Sequence, residues 1–454
     1  MLTANKLESL IIVTFVVLNR VKKVLIITYY WPPSGGSGVQ RWLYFAKYLE
    51  ENGIITIVVT VDPKKAVYPS FDNSLLEHVK HVITYSTNPG FNLFGFYSFL
   101  KSGRSKKIVI SGDIGGNDKN FLDKFSSFVR ANFFIPDARI GWNKQAISIA
   151  KKILSEEKID WIITTGPPHS SHLIGLELKK LFAIHWVADF RDPWHDIYYN
   201  KLFKRSKKAD NKDLILESKI LTNADTILTV GPSMKSLLIS KSNELEKKCF
   251  FIYNGYDEKA FEILSKKQND IFTIAHIGIW TLQQAHNEII EALTQILSTQ
   301  SNLNIKFVLV GKVNEIIQKR LSEIPNLILE VKGNLNHKAA LQEMKNADLL
   351  LNCHALMDNS KLLISGKLME YIASGNPIVL IGNKNGDAAQ LLKEIENSFV
   401  VSPDEIKPLM DCILKLIKEY PYNETIRLDN LRYSRTETTK ELVKLLNSRK
   451  AEKS

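Results

Sequence analysis

The chain has 454 residues, of which 44% are hydrophobic and 24% charged, and this length predicts two globular domains rather than one. Its formal net charge of +12 favours anionic partners such as phosphorylated small molecules or acidic lipid headgroups. No zinc-finger spacing, RNP-like run or alternation of aromatic with basic residues supports nucleic acid. Three widely separated cysteines, Cys249, Cys353 and Cys412, argue against a disulfide framework or a metal site and fit a reducing, cytoplasmic setting.

The N-terminal run at residues 10–18 (LIIVTFVVL) is strongly apolar. It is too short to span a bilayer, and it lacks a small-residue cleavage site, which argues against a signal peptide. A start extension, an added strand and a weak membrane foot all stay open for residues 1–20.

A glycine loop follows the first predicted strand. Residues 23–28 (KVLIIT) predict a short buried strand, and apolar residues recur at helical spacing from Val39 onward. Between them stand Gly35, Gly36 and Ser37, and glycine permits backbone conformations that larger residues avoid. Free backbone N–H groups at a helix N-terminus attract anions. The loop therefore predicts either an anion-binding site or an ordinary strand-to-helix turn.

The rest of the first half alternates between strand and helix patterns, which predicts an α/β domain with a parallel sheet. The predicted strands are residues 54–61, 161–165, 185–189 and 226–230, and the predicted helices are residues 171–182 and 211–223. Residues 85–142 interrupt this alternation and end in an aromatic and basic run that includes Arg139. We interpret this segment as an insertion that faces a ligand or a membrane.

A second series of strands and helices begins near Phe272. The predicted strands are residues 273–278, 305–311, 327–333, 348–353 and 377–381, and the predicted helices are residues 287–298, 337–346 and 361–374. Two such halves predict two facing Rossmann-like domains, residues 1–255 and 256–425, followed by a charged helical tail at 426–454. Ligands of such sheets bind at the carboxyl ends of the strands, so we expect the site in the cleft between the halves.

The segment at residues 365–380 (SGKLMEYIASGNPIVL) carries the strongest local signal of the second half. Lys367 and Glu370 are three residues apart on the predicted helix and share a face. Lys361 lies two turns before Lys367, with Gly366 between them, and is expected to reach the same cleft. A carboxylate can accept both hydroxyls of a ribose, and an ammonium can neutralise a diphosphate. The alternative is an ordinary surface pair of Lys and Glu.

The glycine loop, together with TGPPHSSH, ADFRDPW, IYNGYD and GKLMEYIASGNPIV, resembles bacterial glycosyltransferase family 4, in particular the branch that acts in surface-polysaccharide assembly. The resemblance covers about residues 24–392. It implies an α/β GT-B fold in which the C-terminal domain holds a nucleotide sugar, the N-terminal domain holds the acceptor, and the last helix crosses back to the first domain. It also implies transfer with retention of anomeric configuration, without a metal or other cofactor.

The resemblance implies roles for the residues at matching positions. Glu370 is expected to hold the nucleotide ribose, and Lys367 is a candidate catalytic residue that stabilises the leaving diphosphate. The expected donor-binding residues are Glu370, Lys361, Lys367, Gly366, Gly278 and Gly311.

His169, in GPPHSSH, is the second candidate catalytic residue, because it matches a histidine near the transferred sugar. A helix-capping or solvent role is the alternative for His169 and for His172. The residues expected at the glycine loop and on the acceptor side are Gly35, Gly36, Ser37, Asp189, Arg191 and Arg139. A structural role for Asp189, Arg191 and Asp192 carries equal weight, and their DxxD spacing is not a metal-binding DxD motif.

The chain departs from the family pattern at two positions. Many members carry a Glu eight residues before the position of Glu370, and this chain has Leu362 there. Many also have a cation in the loop after the strand that ends at Gly278, whereas this loop reads IWTLQQAHN, with only His286 as a candidate. We therefore expect Lys361 and Lys367 to neutralise the diphosphate.

Three other functions stay open. A nicotinamide oxidoreductase would explain the strand and its glycines, although they come too late after the strand and Arg41 stands at the third glycine position. The other two are a nucleotide-sugar epimerase or hydrolase and a non-catalytic binding subunit. For a glycosyltransferase, the expected partners are a nucleotide diphosphate sugar, a glycan or polyprenyl-linked acceptor, and an anionic membrane surface. We expect a cytoplasmic protein, peripheral at the inner face of the membrane.

Overall fold

The computed structural model describes residues 21–90, 131–197, 205–355, 357, 359–420 and 428–451. The apolar run at 10–18 and most of the predicted insertion lie outside the described residues. The chain divides into two compact units: Met1–Leu228 with Glu244–Phe250 and Thr439–Ser454 form the first unit, and Thr229–Asn243 with Phe251–Thr438 form the second unit. The domain boundaries given above stay a prediction.

The first sheet has seven strands in the order β3-β2-β1-β4-β5-β6-β7. They are β1 Lys22–Ile27, β2 Ile54–Val61, β3 Ile83–Thr87, β4 Trp161–Gly166, β5 His185–Phe190, β6 Thr226–Thr229 and β7 Cys249–Phe251. The pairs β1–β2, β1–β4, β2–β3 and β4–β5 are parallel. The helices that alternate with these strands are α1 Ser37–Glu51, α2 Asn143–Glu156, α3 Ser170–Leu181, α4 Lys207–Asn223 and α5 Pro232–Ile239.

The second sheet has six strands in the order β10-β9-β8-β11-β12-β13, and all of its pairs are parallel. The strands are β8 Thr273–Ile277, β9 Ile305–Val310, β10 Leu327–Gly333, β11 Leu349–Cys353, β12 Ile378–Ile381 and β13 Ser398–Val401. The helices that follow in the chain are α6 Glu258–Glu262, α7 Asn287–Thr299, α8 Glu315–Ser322, α9 His337–Asn346, α10 Gly366–Ser374, α11 Asp387–Leu392, α12 Ile406–Lys418 and α13 Arg435–Ala451, of which α13 belongs to the first unit from Thr439 onward.

Apolar runs explain why these strands form. Val24 to Ile27 of β1 and Ile274 of β8 are fully buried, as a parallel strand covered on both faces requires. Both faces of the second sheet carry an apolar core, which helices α7 and α12 cover on one side and α10 on the other. The expected fold class of two Rossmann-like domains with parallel sheets is confirmed.

Strand β3 was not predicted, and it includes Tyr85, where the predicted insertion begins. Its sequence, ITYST, is mostly polar, and its first four residues are exposed. Among the described residues it lies at the edge of the first sheet and pairs with β2 alone, so it needs no apolar run.

The predicted helix at 361–374 is wrong in its first part. Residues Ser360–Leu362 form a separate 3-10 turn, Leu363 is extended, and α10 begins only at Gly366. Serine favours the N-cap position, and glycine weakens a helix interior, so the Ser365–Gly366 pair starts a helix rather than continuing one. Lys361 and Lys367 therefore do not share a helix.

Both sheets reverse their strand order at one point, between β1 and β4 in the first and between β8 and β11 in the second. Open α/β sheets bind ligands at the carboxyl ends of the strands that flank such a point. Among the described residues, none of the helices combines the length and apolar character that a membrane span requires.

Candidate functional site

Two glycine turns shape the carboxyl edge of the second sheet. Gly278 follows β8 with φ +117°, and Gly311 follows β9 with φ +100°. A Cβ on Gly311 would lie 2.5 Å from the carbonyl oxygen of Gly278, so the two backbones approach more closely than any side chain allows. Both predicted residues thus lie together beside the reversal point.

Lys367 lies at the same edge, in the first turn of α10. Its Nζ is 3.2 Å from Nε2 of His276, the residue two positions before Gly278. A Cβ on Gly278 would lie 3.5 Å from Cδ of Lys367. Gly366, which precedes Lys367, has no atom within 4 Å of the position of a Cβ. The N-terminus of α10 therefore presents a cation and an open backbone beside the β8 turn, which is the arrangement that binds anions.

Burial lowers the pKa values of the basic groups in this cluster. It lowers the pKa of Lys367 to about 8. Burial, and next the charge of Lys367, lower the pKa of His276 well below its ordinary value and that of His354, which follows β11, to about 4. Both imidazoles are therefore neutral at neutral pH, and Nε2 of His276 can accept the hydrogen bond that the Lys367 ammonium donates.

Glu370 follows one turn further along α10. Its Oε1 is 2.8 Å from Nε2 of His337, the first residue of α9. The hydrogen bond to Glu370 raises the pKa of His337 against the opposing effect of burial. Lys367 and Glu370 make no ion pair with each other in the described part of the chain, so the alternative of a surface Lys–Glu pair is wrong.

Lys361 lies beside the start of α11. Its side chain is exposed, and its backbone lies at the start of α11, where a Cβ on Gly386 would be 3.4 Å from Cα of Lys361. This position follows β12 rather than β8. Its expected role at the diphosphate stays a prediction, without the helical geometry that first suggested it.

The glycine loop of the first unit follows β1, beside that sheet's reversal point. Gly35 donates its N–H to the carbonyl of Ser70, and a Cβ there would lie 2.7 Å from the Ser70 hydroxyl oxygen. Gly36 has φ +93° and open space around it, and Ser37 begins the 15-residue helix α1. The loop thus leaves one glycine accessible at the N-terminus of a long helix.

His169 and His172 lie at the end of β4 and the start of α3. His169 is 7% exposed and stacks on Trp194 with ring centroids 5.1 Å apart. His172 is fully buried, with Nδ1 2.9 Å from the Thr164 hydroxyl oxygen, and burial lowers its pKa well below the ordinary value. A solvent role for either histidine is therefore wrong, and His169 makes no side-chain cap to α3.

Asp189 and Arg191 hold the backbone and side chains around the end of β5. Asp189 is fully buried and accepts hydrogen bonds from Arg41, Trp42 and Thr165 at 3.1, 2.6 and 2.8 Å. Arg191 donates to the carbonyls of Gly38, Gly166 and Pro167. These contacts favour the structural role for both residues, because their polar atoms are occupied within the protein.

Arg139 belongs to the first unit and contacts Val67 and Tyr29 there. It donates to the Val67 carbonyl at 3.0 Å, and its guanidinium lies 5.1 Å from the ring centroid of Tyr29. Asp137, two residues earlier, accepts from the backbone N–H and the hydroxyl of Ser170 at 2.7 and 2.8 Å. Asp137 therefore supplies the cap that His169 does not.

Sequence reasoning missed three histidines of the second unit: His276, His337 and His354. A polar residue inside the apolar strand sequence TIAHIG, two positions before a glycine, was a signal for His276. His337 and His354 gave none, because only the packing of distant segments brings them to α10 and β8. Three or more His, Cys, Asp or Glu side chains able to hold a metal are not clustered anywhere in the described ranges.

A family model matches part of the chain. Residues 270–419 match the family described as Glycosyl transferases group 1, and this segment lies within the second unit. The match supports a glycosyltransferase. A comparison with curated proteins finds no match.

Solved structures show the same fold at low identity. A glycosyltransferase from Rickettsia africae ESF-5 matches with a TM-score of 0.60 and 13% identity, covering 95% of this chain and 99% of its own. TarM from S. aureus, in a complex that contains UDP, matches with a TM-score of 0.57 and 12% identity, covering 94% and 100%. A putative UDP-N-acetylglucosamine 2-epimerase from Listeria monocytogenes matches with a TM-score of 0.52 and 11% identity, covering 96% and 98%. These likenesses show the GT-B fold, which is shared by a transferase and an epimerase.

Proposed function

We propose that the protein transfers a sugar from a nucleotide diphosphate sugar to a glycan or polyprenyl-linked acceptor in cell-surface polysaccharide synthesis. The observation that carries the proposal is the Lys367 ammonium beside the Gly278 turn, inside the segment that matches the glycosyltransferase family. The diphosphate binds Lys367 and the N-terminus of α10, and the ribose binds the Glu370 carboxylate.

The chemistry needs stabilisation of a leaving group. The bond between the anomeric carbon and the phosphate oxygen breaks, and its electron pair stays on the nucleoside diphosphate. The Lys367 ammonium and the backbone N–H groups of α10 act on that growing negative charge. The acceptor oxygen bonds to the same face of the sugar, and its proton passes to the leaving phosphate, so the reaction retains configuration without a metal.

Radiolabelled UDP-, GDP- and dTDP-sugars, offered with membrane extracts, test the proposal. Lys367→Ala is expected to lower kcat/KM by more than about tenfold, because it removes a charge that acts on the leaving group. Lys319→Ala is the matched control, since Lys319 is an exposed lysine of α8 in the same unit. Equal kcat/KM values for Lys367→Ala and the unaltered protein would exclude this lysine from the reaction.

The same assay separates the two other functions that the fold permits. An epimerase or hydrolase would convert the donor, or release free sugar from it, without any acceptor. A non-catalytic subunit would bind the donor and leave it intact with every acceptor. A cation beside a leaving diphosphate would serve transfer and hydrolysis alike, so the dependence on an acceptor is what separates them.

A further inference from the structure

The His337–Glu370 pair joins two helices at the carboxyl edge of the second sheet. The Nε2–Oε1 distance of 2.8 Å is that of a charge-assisted hydrogen bond. The Glu370 side chain is 15% exposed and the His337 side chain 38%. The other carboxylate oxygen, Oε2, makes no hydrogen bond among the described residues, so one acceptor is held and one is left open.

Both ends of this contact are fixed by the fold. His337 is the first residue of α9, and the Asn336 side chain caps that helix by accepting from the Ala339 N–H at 2.9 Å. On α10, Leu368, Met369, Tyr371 and Ile372 are buried around Glu370. A glutamate has three rotatable bonds, and without a partner its carboxylate would sample several rotamers. The histidine removes that freedom.

We propose that His337 is a positioning residue that holds the Glu370 carboxylate for recognition of a nucleotide ribose, a role that rests on the proposed function. The histidine occupies Oε1 and turns Oε2 toward the open side, where a ribose hydroxyl can donate to it.

This arrangement gives ribose recognition a pH dependence. Glu370 and Asp257, which precedes α6, raise the pKa of His337, whereas burial and Arg435, which begins α13, lower it. Together these effects raise the pKa of His337. The charged pair is therefore complete below the ordinary histidine pKa of about 6.5 and weakens as the pH rises through the higher value of the folded protein.

Titration calorimetry on the full chain tests the role. We compare the tightest binder among UDP, GDP and ADP with its 2′-deoxy counterpart, because the ratio of their dissociation constants isolates the ribose contact from the diphosphate. The unaltered protein is expected to favour the ribonucleotide by about tenfold, as one hydrogen bond to a charged group allows. Glu370→Gln is expected to remove most of this preference.

His337→Ala is expected to reduce the preference to about threefold or less, with the affinity for the deoxynucleotide unchanged. His337→Gln, which donates a hydrogen bond but carries no charge, is expected to restore the preference and to make it equal near pH 6 and pH 8.5. The control is His81→Ala, which breaks a surface contact of the same chemistry, 3.2 Å from Glu50 in the first unit. Thermal melts show that each variant is folded.

Two results would overturn the role. An unchanged or larger ribose preference in His337→Ala would mean that the histidine is a bystander or masks Glu370. An equal pH dependence in His337→Gln would assign the titration to another group. If the unaltered protein binds none of the three nucleotides but transfers sugar from a dTDP donor, the role of His337 fails while the proposed function stands. If it transfers sugar from no donor, the proposed function fails as well.

Discussion

At the scale of single residues, Lys367 has the most unusual environment of the candidate site. Burial lowers its pKa to about 8, and its hydrogen-bond partner among the described residues is a neutral imidazole, His276. In an unfolded chain a lysine keeps its proton to about pH 10.4. The folded protein therefore binds fewer protons between those values, and its stability without ligand rises with pH across that window.

A bound diphosphate reverses this preference, because its negative charge favours the protonated amine. We expect nucleoside diphosphate binding to take up a proton above pH 8 and to weaken by up to about tenfold between pH 8 and pH 9. Calorimetry in two buffers of different ionisation enthalpy measures the proton uptake. In Lys367→Arg the uptake is expected to vanish, because a guanidinium stays charged throughout. Proton uptake of equal size in that variant would assign the titration to a different residue.

At the scale of elements, α10 supplies hydrogen bonds to the two strands that flank the reversal point of the second sheet. Strands β8 and β11 pair only at Ile274 with Leu349 and at Ala275 with Leu350. Beyond these pairs, the Tyr371 hydroxyl accepts from the Ile277 N–H at 3.0 Å and donates to the Leu351 carbonyl at 3.3 Å. A helix side chain thus replaces the ladder hydrogen bonds where the two strands separate, and the Gly278 turn follows directly.

Tyr371→Phe leaves both backbone groups without a partner in a buried setting. We expect a loss of about 2–4 kcal/mol in the free energy of unfolding, since each unpaired buried group costs about 1–3 kcal/mol. Urea unfolding measures this loss. The control is Tyr85→Phe on the exposed edge of β3, expected to change the stability by less than about 0.5 kcal/mol. Equal stabilities of the two variants would show that water replaces the hydroxyl.

The strands and helices also differ in how well the sequence predicts them. Continuous apolar runs identified β1, β2 and β8 to within a residue or two, because a parallel strand buried on both faces is mostly apolar. Strand β3 was not predicted, since an edge strand needs no such apolar run. The start of α10 was misplaced, because helical spacing was extended across Ser365 and Gly366.

The candidate site was predictable only in part for a related reason. Lys367 and Glu370 belong to one local motif, so their spacing placed them on one helix. Their partners come from 91 and 33 residues away, at His276 and His337. Neither distance leaves a local pattern, because the contacts arise when β8 and α9 pack beside α10. The charge state of Lys367 follows from the same packing.

At the scale of the whole molecule, the two sheets repeat one strand order, and each reversal point carries a glycine turn and a helix N-terminus. The polar groups near the two reversal points differ in how many of their hydrogen bonds are made to other protein groups. In the first unit, Asp189 and Arg191 form hydrogen bonds with neighbouring protein groups. In the second unit, among the described residues, Oε2 of Glu370 has no hydrogen-bond partner and Gly366 at the N-terminus of α10 has open space beside it, which is consistent with the proposal that the second unit binds the nucleotide.

The net charge of the whole chain carries the last prediction. A formal charge of +12 attracts anionic lipid headgroups over a Debye length of about 30 Å at 0.01 M salt and only about 3 Å at 1 M. We expect the protein to sediment with vesicles that contain anionic lipid at the low salt concentration and to be released at the high one. Vesicles of neutral lipid alone are the control. If the protein stays in the supernatant with anionic vesicles at low salt, the charge does not act at a membrane, and the peripheral location expected from the sequence loses its physical basis.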